Sequence, residues 1–386
     1  MSALILARAA ATQEMLETFS DAALVRGALA FEAALAEAEA AEGLIPDEHA
    51  AAISEACRAG GFDALTLAEA AAHAGTFAIP LTADLREKVA ASAPAAAKLV
   101  HFGATSQDVA DTALMLQAKA GLALIECDLA RLEEALADLA RRHATTPMLA
   151  RTLLQGALPT TFGLKAAGWM TGIASVKARL EHEARAALAL QFGGAAGTRA
   201  ALGGKGAVVA QRMAAALGLA NPVLPWHARR DSVAGLGAAL AIVIGVLGKI
   251  ARDIALMAQG EVGEAFEPQT PGRGGSSAMA HKRNPTGCQV VLSAAARAPG
   301  LTATLLATLV EEHERGLGGW QAQGPALTEL FLLTHGALAA LLPVVGGLEI
   351  DTEAMARNLA TANVGNDVGE AAALTLAALN AVDALD

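Results

Sequence analysis

The chain has 386 residues, with 28 Lys+Arg against 39 Asp+Glu for a net charge of −11, and is 54% hydrophobic but only 3% aromatic. That balance excludes a disordered chain and lacks the electrostatic footprint of a nucleic-acid binder. A core drawn from Ala, Leu and Val suits close helix packing, so the composition predicts an all-α protein.

The first hundred residues read as short helices. Ser20 is placed to cap a helix in which Leu24, Ala28, Phe31 and Leu35 recur at helical spacing, Gly43 ends it, and Pro46 opens the next. A turn-rich stretch follows at Gly75–Pro80. From about Thr112 the helices lengthen, and Ile125, Leu129, Leu132, Leu136 and Leu139 form a heptad-like seam that must face another helix. Further helices are predicted over 165–190, 206–218, 231–258 and 287–310, while runs of alternating β-branched and aromatic residues are nearly absent. The pattern is that of a helical bundle.

Ser232–Gly248 carries no charge and approaches the length of a membrane span, but it holds Gly235, Gly237, Gly245 and Gly248. It reads as the centre of a bundle or a subunit interface rather than a membrane segment. Cys57, Cys127 and Cys288 form no CxxC pair and read as small buried hydrophobes in a reducing compartment. The amino terminus, MSALILARAAATQEM, is too short in its apolar run for a signal peptide, so a cytoplasmic location is expected.

Four polar or Gly-rich islands break the helical pattern, at 101–112, 151–163, 191–206 and 263–287. Loops on a rigid scaffold are where chemistry resides. Neither His182-Glu183 nor His313-Glu314 completes HExxH, Lys205 lacks the Ser/Thr of a phosphate loop, and GxSxG is missing around Ser276. No metal and no cofactor are therefore expected. The most specific string is Gly272-Arg273-Gly274-Gly275-Ser276-Ser277-Ala278-Met279-Ala280-His281-Lys282-Arg283-Asn284-Pro285. Its glycines let backbone N–H groups converge on an anion, to which Lys282 adds a charge and Asn284 directed donors.

GSSAMAHKRNP resembles the GSSxMPxKxNP motif of the fumarase/aspartase superfamily, which includes argininosuccinate and adenylosuccinate lyases. HFGATSQDVADT and RTLLQGALPTTFGLK are similar to its other two regions, and the likeness runs in order along nearly the whole chain. FSDAALVRGALAFEAALAEAEA, LQFGGAAGTRAALG, PWHARRD and GEAFEPQTPGRGGSS add a resemblance to the cycloisomerase branch. The resemblance implies Ser276 as the group that moves a proton next to a substrate carboxylate, with Lys282 and Asn284 stabilising the aci-carboxylate that forms. It implies that Thr105, Ser106 and Gln107 make a carboxylate-binding turn, and that Thr152, Gln155 and Met279 face the substrate. Arg315 matches a position near the site and can pair with a carboxylate, although an ion pair with Glu311 or Glu312 competes. His101 has two open readings, substrate contact and structural hydrogen bonding. Lys205 and Arg230 are weaker carboxylate candidates, and Arg199 reads as solvated or interfacial.

Three departures matter. Leu153 stands where many of these lyases have a proton-donating His, Gly156 where some cycloisomerases have a His, and Ala280 where the motif has Pro. Leu153 argues against cleavage of a leaving group that needs protonation. The expected activity is therefore cofactor-free intramolecular addition of a carboxylate across a double bond of an unsaturated polycarboxylate. The alternatives are a fumarate-releasing lyase and a non-catalytic structural relative. The resemblance also implies a helical domain over 1–100, a long-helix bundle over 101–345 and a shortened helical domain over 346–386. It further implies a homotetramer whose active sites are shared between subunits, with no nucleic-acid or membrane partner.

Overall fold

The computed structural model describes residues 4–270, 274–275, 279 and 282–384. Helices α1 (Leu4–Ala7), α2 (Gln13–Thr18), α3 (Asp21–Ala41), α4 (Asp47–Ala59), α5 (Ala64–Ala74), α6 (Ala78–Ser92) and α7 (Pro94–Ala97) come first, and α8 (Ser106–Arg142) follows. Strands β1 (Pro147–Thr152) and β2 (Gln155–Thr161) lead into α9 (Phe162–Ala187), α10 (Gly206–Leu217) and α11 (Asp231–Met257). The chain continues through β3 (Ala265–Phe266), α12 (Thr286–Ala307), α13 (Gly319–Gly346), β4 (Glu349–Ile350), α14 (Thr352–Ala362) and α15 (Ala371–Asp383).

Two cores organise these elements. The long helices α8, α9, α11, α12 and α13 pack on one another as a bundle. All five residues of the predicted seam, Ile125 to Leu139, are buried in it. The second core lies between α3, α4 and α6, where Ala28, Phe31 and Leu35 point inward, and Ser20 accepts the Ala23 N–H as the helix cap. Residues far along the chain complete this core: Phe192 and Leu202 fill it from the 191–206 island, Leu190 from just before it, and Val209 and Met213 from α10. That island is thus a strap from the bundle to the amino-terminal helices.

Helices α11, α12 and α13 are each long and apolar enough to cross a membrane. The bundle gives α11 and α13 another use for that surface, burying 61% of the apolar stretch in each, whereas α12 buries only 22%.

Some boundaries differ from the sequence expectation for definable reasons. Pro46 is the residue before α4 rather than its first. α6 begins at Ala78 inside the expected turn, because Pro80 falls in the first helical turn, where no backbone donor is needed. α8 starts at Ser106 rather than near Thr112, since Asp108 accepts the Thr105 N–H and closes the first turn.

The largest difference is the antiparallel hairpin of β1 and β2, which takes up the 151–163 island as far as Thr161. Its two turn residues are Leu153 and Leu154, at φ of 51° and 64°, where an Asn-Gly pair would signal a hairpin. Each leucine in that left-handed region costs about 1 kcal/mol or more, and both are exposed. The hairpin returns the chain tightly enough that Gly163 donates to the His143 carbonyl at 2.8 Å, and a Cβ there would meet the Ala144 backbone.

Candidate active site

The amino end of α8 carries Thr105, Ser106 and Gln107, and a buried polar network fixes it. Asp108 is fully buried and accepts four hydrogen bonds. Its Oδ1 takes the Gly193 N–H at 2.9 Å and His227 Nε2 at 2.7 Å, and its Oδ2 takes the Thr105 and Gly194 N–H groups at 3.0 and 2.9 Å. Because a carboxylate only accepts, His227 carries its proton on Nε2. One turn on, Asp111 accepts both terminal nitrogens of Arg230 at 2.7 and 2.9 Å and the Gln191 amide at 3.2 Å. Arg230 also donates from Nε to Gln323 Oε1 at 2.8 Å and lies over the Trp226 ring. The Gln323 amide in turn donates to Thr308 at 2.6 Å. Buried charges of this kind are tolerable only when each lone pair and proton is matched, as most are here.

The consequence is a turn of defined geometry. Gln107, itself buried, donates its amide to the His227 carbonyl at 2.9 Å, which leaves Oε1 to accept from Arg315. Arg315, on the loop between α12 and α13, reaches that surface. It donates to Gln107 Oε1 at 3.2 Å, to Thr105 Oγ1 at 2.7 Å and to Ser106 Oγ at 3.3 Å. A guanidinium, two hydroxyls and the positive end of a 37-residue helix therefore converge, an arrangement suited to a carboxylate. Arg315 does not pair with Glu311 or Glu312; Glu312 accepts the Leu317 N–H instead.

The signature segment sits at the amino end of α12. Ser276 lies outside the described residues. Lys282 is exposed and donates its backbone N–H to the Met279 carbonyl at 3.1 Å, and the Asn284 N–H bonds the Gly274 carbonyl at 2.9 Å. Met279 is 43% exposed. Between them, Arg283 donates to the Glu267 carbonyl and the Glu349 carboxylate. Glu267 caps α12 by accepting the Gly287 and Cys288 N–H groups at 3.0 and 2.8 Å, which fixes where this segment meets the helix. Three residues earlier, the buried Glu264 takes both terminal nitrogens of Arg151 on β1, at 2.7 and 2.8 Å, and the Asn358 amide of α14. The hairpin and the signature segment are thereby anchored to one short stretch of chain.

Thr152 and Gln155 face each other across the hairpin tip, and both are exposed. His101 adopts a left-handed backbone at φ 63° and bonds Glu32 through Nδ1 at 2.6 Å. Lys205 bonds the Glu42 carbonyl, Arg199 bonds the Phe192 carbonyl and stacks over its ring, and Arg230 is committed to Asp111. Sequence reasoning placed Thr105, Ser106, Gln107 and Arg315 near one site, and they meet. It gave no role to Asp108, Asp111, Gln191 and His227, although all four lie in the strings HFGATSQDVADT, LQFGGAAGTRAALG and PWHARRD that carry the resemblance.

A family model described as lyase matches residues 7–300. The chain is 50% identical to 3-carboxy-cis,cis-muconate cycloisomerase of Bradyrhizobium diazoefficiens over 92% of this chain and 79% of that one. It is 49% identical to the Pseudomonas aeruginosa protein of the same description, over 94% and 79%. The crystal structure of 3-carboxy-cis,cis-muconate lactonizing enzyme from Pseudomonas putida superposes with a TM-score of 0.93 at 38% identity, covering 99% of each chain.

Proposed function

The chain belongs to this lyase family, within the fumarase/aspartase superfamily, and from that premise we propose that it lactonises 3-carboxy-cis,cis-muconate to 4-carboxymuconolactone. One carboxylate of the substrate adds to the conjugated double bond, forming a C–O bond. The displaced electron pair moves onto a second carboxylate as an aci-carboxylate, and a proton then closes the new C–H bond. The substrate trianion plus one proton gives the lactone dianion, so no redox partner enters and no leaving group departs. That balance accommodates Leu153, an apolar side chain where an acid would protonate a leaving group.

The roles follow from charge. Ser276 delivers the proton and regains it from solvent. Lys282 and Asn284, at the positive end of α12, stabilise the aci-carboxylate, which exists only along the reaction path and so rewards donors aimed at it. Arg315, Thr105, Ser106 and Gln107 hold a carboxylate that stays charged throughout, while Thr152, Gln155 and Met279 line the rest of the site. His101 takes the structural role, since its Nδ1 is bonded to Glu32 of α3. The observation that carries this reading is the three-point seating of Arg315 on the amino end of α8.

The working unit is a homotetramer with sites shared between subunits, in the cytoplasm. In support, Leu153 and Leu154 stand exposed beside Thr152 and Gln155, and α12 keeps most of its apolar stretch outside the single-chain core. The test is to mix the protein separately with 3-carboxy-cis,cis-muconate and with adenylosuccinate. Loss of diene absorbance with the first and no fumarate from the second is expected; fumarate release alone would overturn the proposal.

A further inference from the structure

The loop that carries Arg315 runs from Thr308 to Gly318 and is tied at both ends. Gln323 holds Thr308, Glu312 accepts the Leu317 N–H at 2.9 Å, and Gln321 accepts the Gly318 N–H at 3.0 Å. The second of these bonds brackets Arg315, and Glu311 packs against the same turn. Its carboxylate folds back under the loop with both oxygens sealed from solvent, and it lies against Gly316 and Gly319. A Cβ at either glycine would overlap that carboxylate. Gly318 has φ of 98° and is needed for its backbone, but Gly316 and Gly319 are not in the left-handed region. Any residue could adopt their conformations, so space is what calls for glycine there.

We propose that Glu311 is a positioning residue that seats the Arg315 loop, with Gly316 and Gly319 forming the socket for its carboxylate. The inference rests on the reading of Arg315 as a carboxylate ligand. Burial pushes the Glu311 carboxyl above its usual range, while the nearby Arg230 charge and the Trp320 amide pull it back. The same Arg230 holds Asp111 of α8, so one cation faces both the helix that receives Arg315 and the residue that seats it. Without the carboxylate in its socket, the turn loses the packing of Glu311 against Gly316 and Gly319, and the Glu312–Leu317 bond is left to hold it alone.

The test uses steady-state kinetics on 3-carboxy-cis,cis-muconate with circular dichroism as a control for folding. Arg315→Ala raises KM, since it removes an interaction present in ground and transition states alike. Glu311→Ala also raises KM, by about ten- to a hundredfold, with kcat much less affected, as expected when a binding group is misplaced by about an ångström. Adding Glu311→Ala to Arg315→Ala costs nothing further. Gly316→Ala reproduces the Glu311→Ala effect, because the new methyl expels the carboxylate, and the Glu311→Ala/Gly316→Ala pair is no worse than Glu311→Ala alone. A Gly316→Ala penalty that persists undiminished in the Glu311→Ala background would overturn the socket. An unchanged KM in Glu311→Ala beside a raised KM in Arg315→Ala would overturn the seating role and leave the carboxylate reading intact. An unchanged KM in Arg315→Ala would sink the carboxylate reading itself.

Discussion

The first turns of α8 bury a pair of carboxylates and α3 buries another, and the pairs behave differently. On α8, Asp108 and Asp111 meet seven donors between them, including Arg230 and His227. On α3, Glu32 has His101, whereas both oxygens of Glu39 are buried without a hydrogen-bond partner. Burial, reinforced by the charge of Glu32, pushes the Glu39 carboxyl up from 4.5 to about 8. The α8 pair is held by its donors and defines the turn that receives Arg315, while Glu39 sits in the amino-terminal core with its carboxyl pushed toward the neutral form. Of these two pairs, the one whose donors the fold supplies is the one that shapes the turn at Arg315.

The comparison is broken most severely at Arg230. Asp111→Asn leaves that fully buried guanidinium without its counter-charge and is expected to cost about 3–5 kcal/mol in denaturant unfolding. Asp111→Leu/Arg230→Met removes both charges and costs much less; equal losses would contradict the network account. Glu39 tests the other side. A carboxyl whose pKa is higher folded than unfolded contributes stability at low pH that is lost as pH rises from about 4.5 through about 8. Glu39→Met, which neither titrates nor buries a polar atom, flattens that slope and is more stable than the parent at pH 8 by on the order of 2 kcal/mol. Thermal melts from pH 5 to 9 check it, and parallel pH profiles for the two proteins would refute it. The smallest effect lies at the hairpin tip, where Leu153→Asn/Leu154→Gly relieves two left-handed leucines and raises stability by about 1 kcal/mol.

Much of the fold was legible because periodicity reports burial. The Ile125–Leu139 seam, the Ser20 cap and helices α9 to α12 all follow from apolar spacing and end chemistry, whereas the long helix α13 is not among the four helices expected after residue 160. The hairpin was not legible, because Leu-Leu gives no turn signal and its left-handed conformation is imposed by the strands on either side. In the site, Thr105–Gln107 and Arg315 were legible through motif resemblance. Arg230 was read as a possible carboxylate ligand because a sequence cannot display that Asp111 already occupies it. Gly316 and Gly319 carried no message until the Glu311 carboxylate was seen against them.

In the proposed mechanism, Ser276 delivers a proton to an aci-carboxylate held by Lys282 and Asn284. Turnover of 3-carboxy-cis,cis-muconate by Ser276→Ala, measured beside its oligomeric mass, tests this most directly. The account predicts a fall of about 10²–10⁴-fold or more in kcat with the assembly unchanged. Full activity in an intact Ser276→Ala assembly would contradict it.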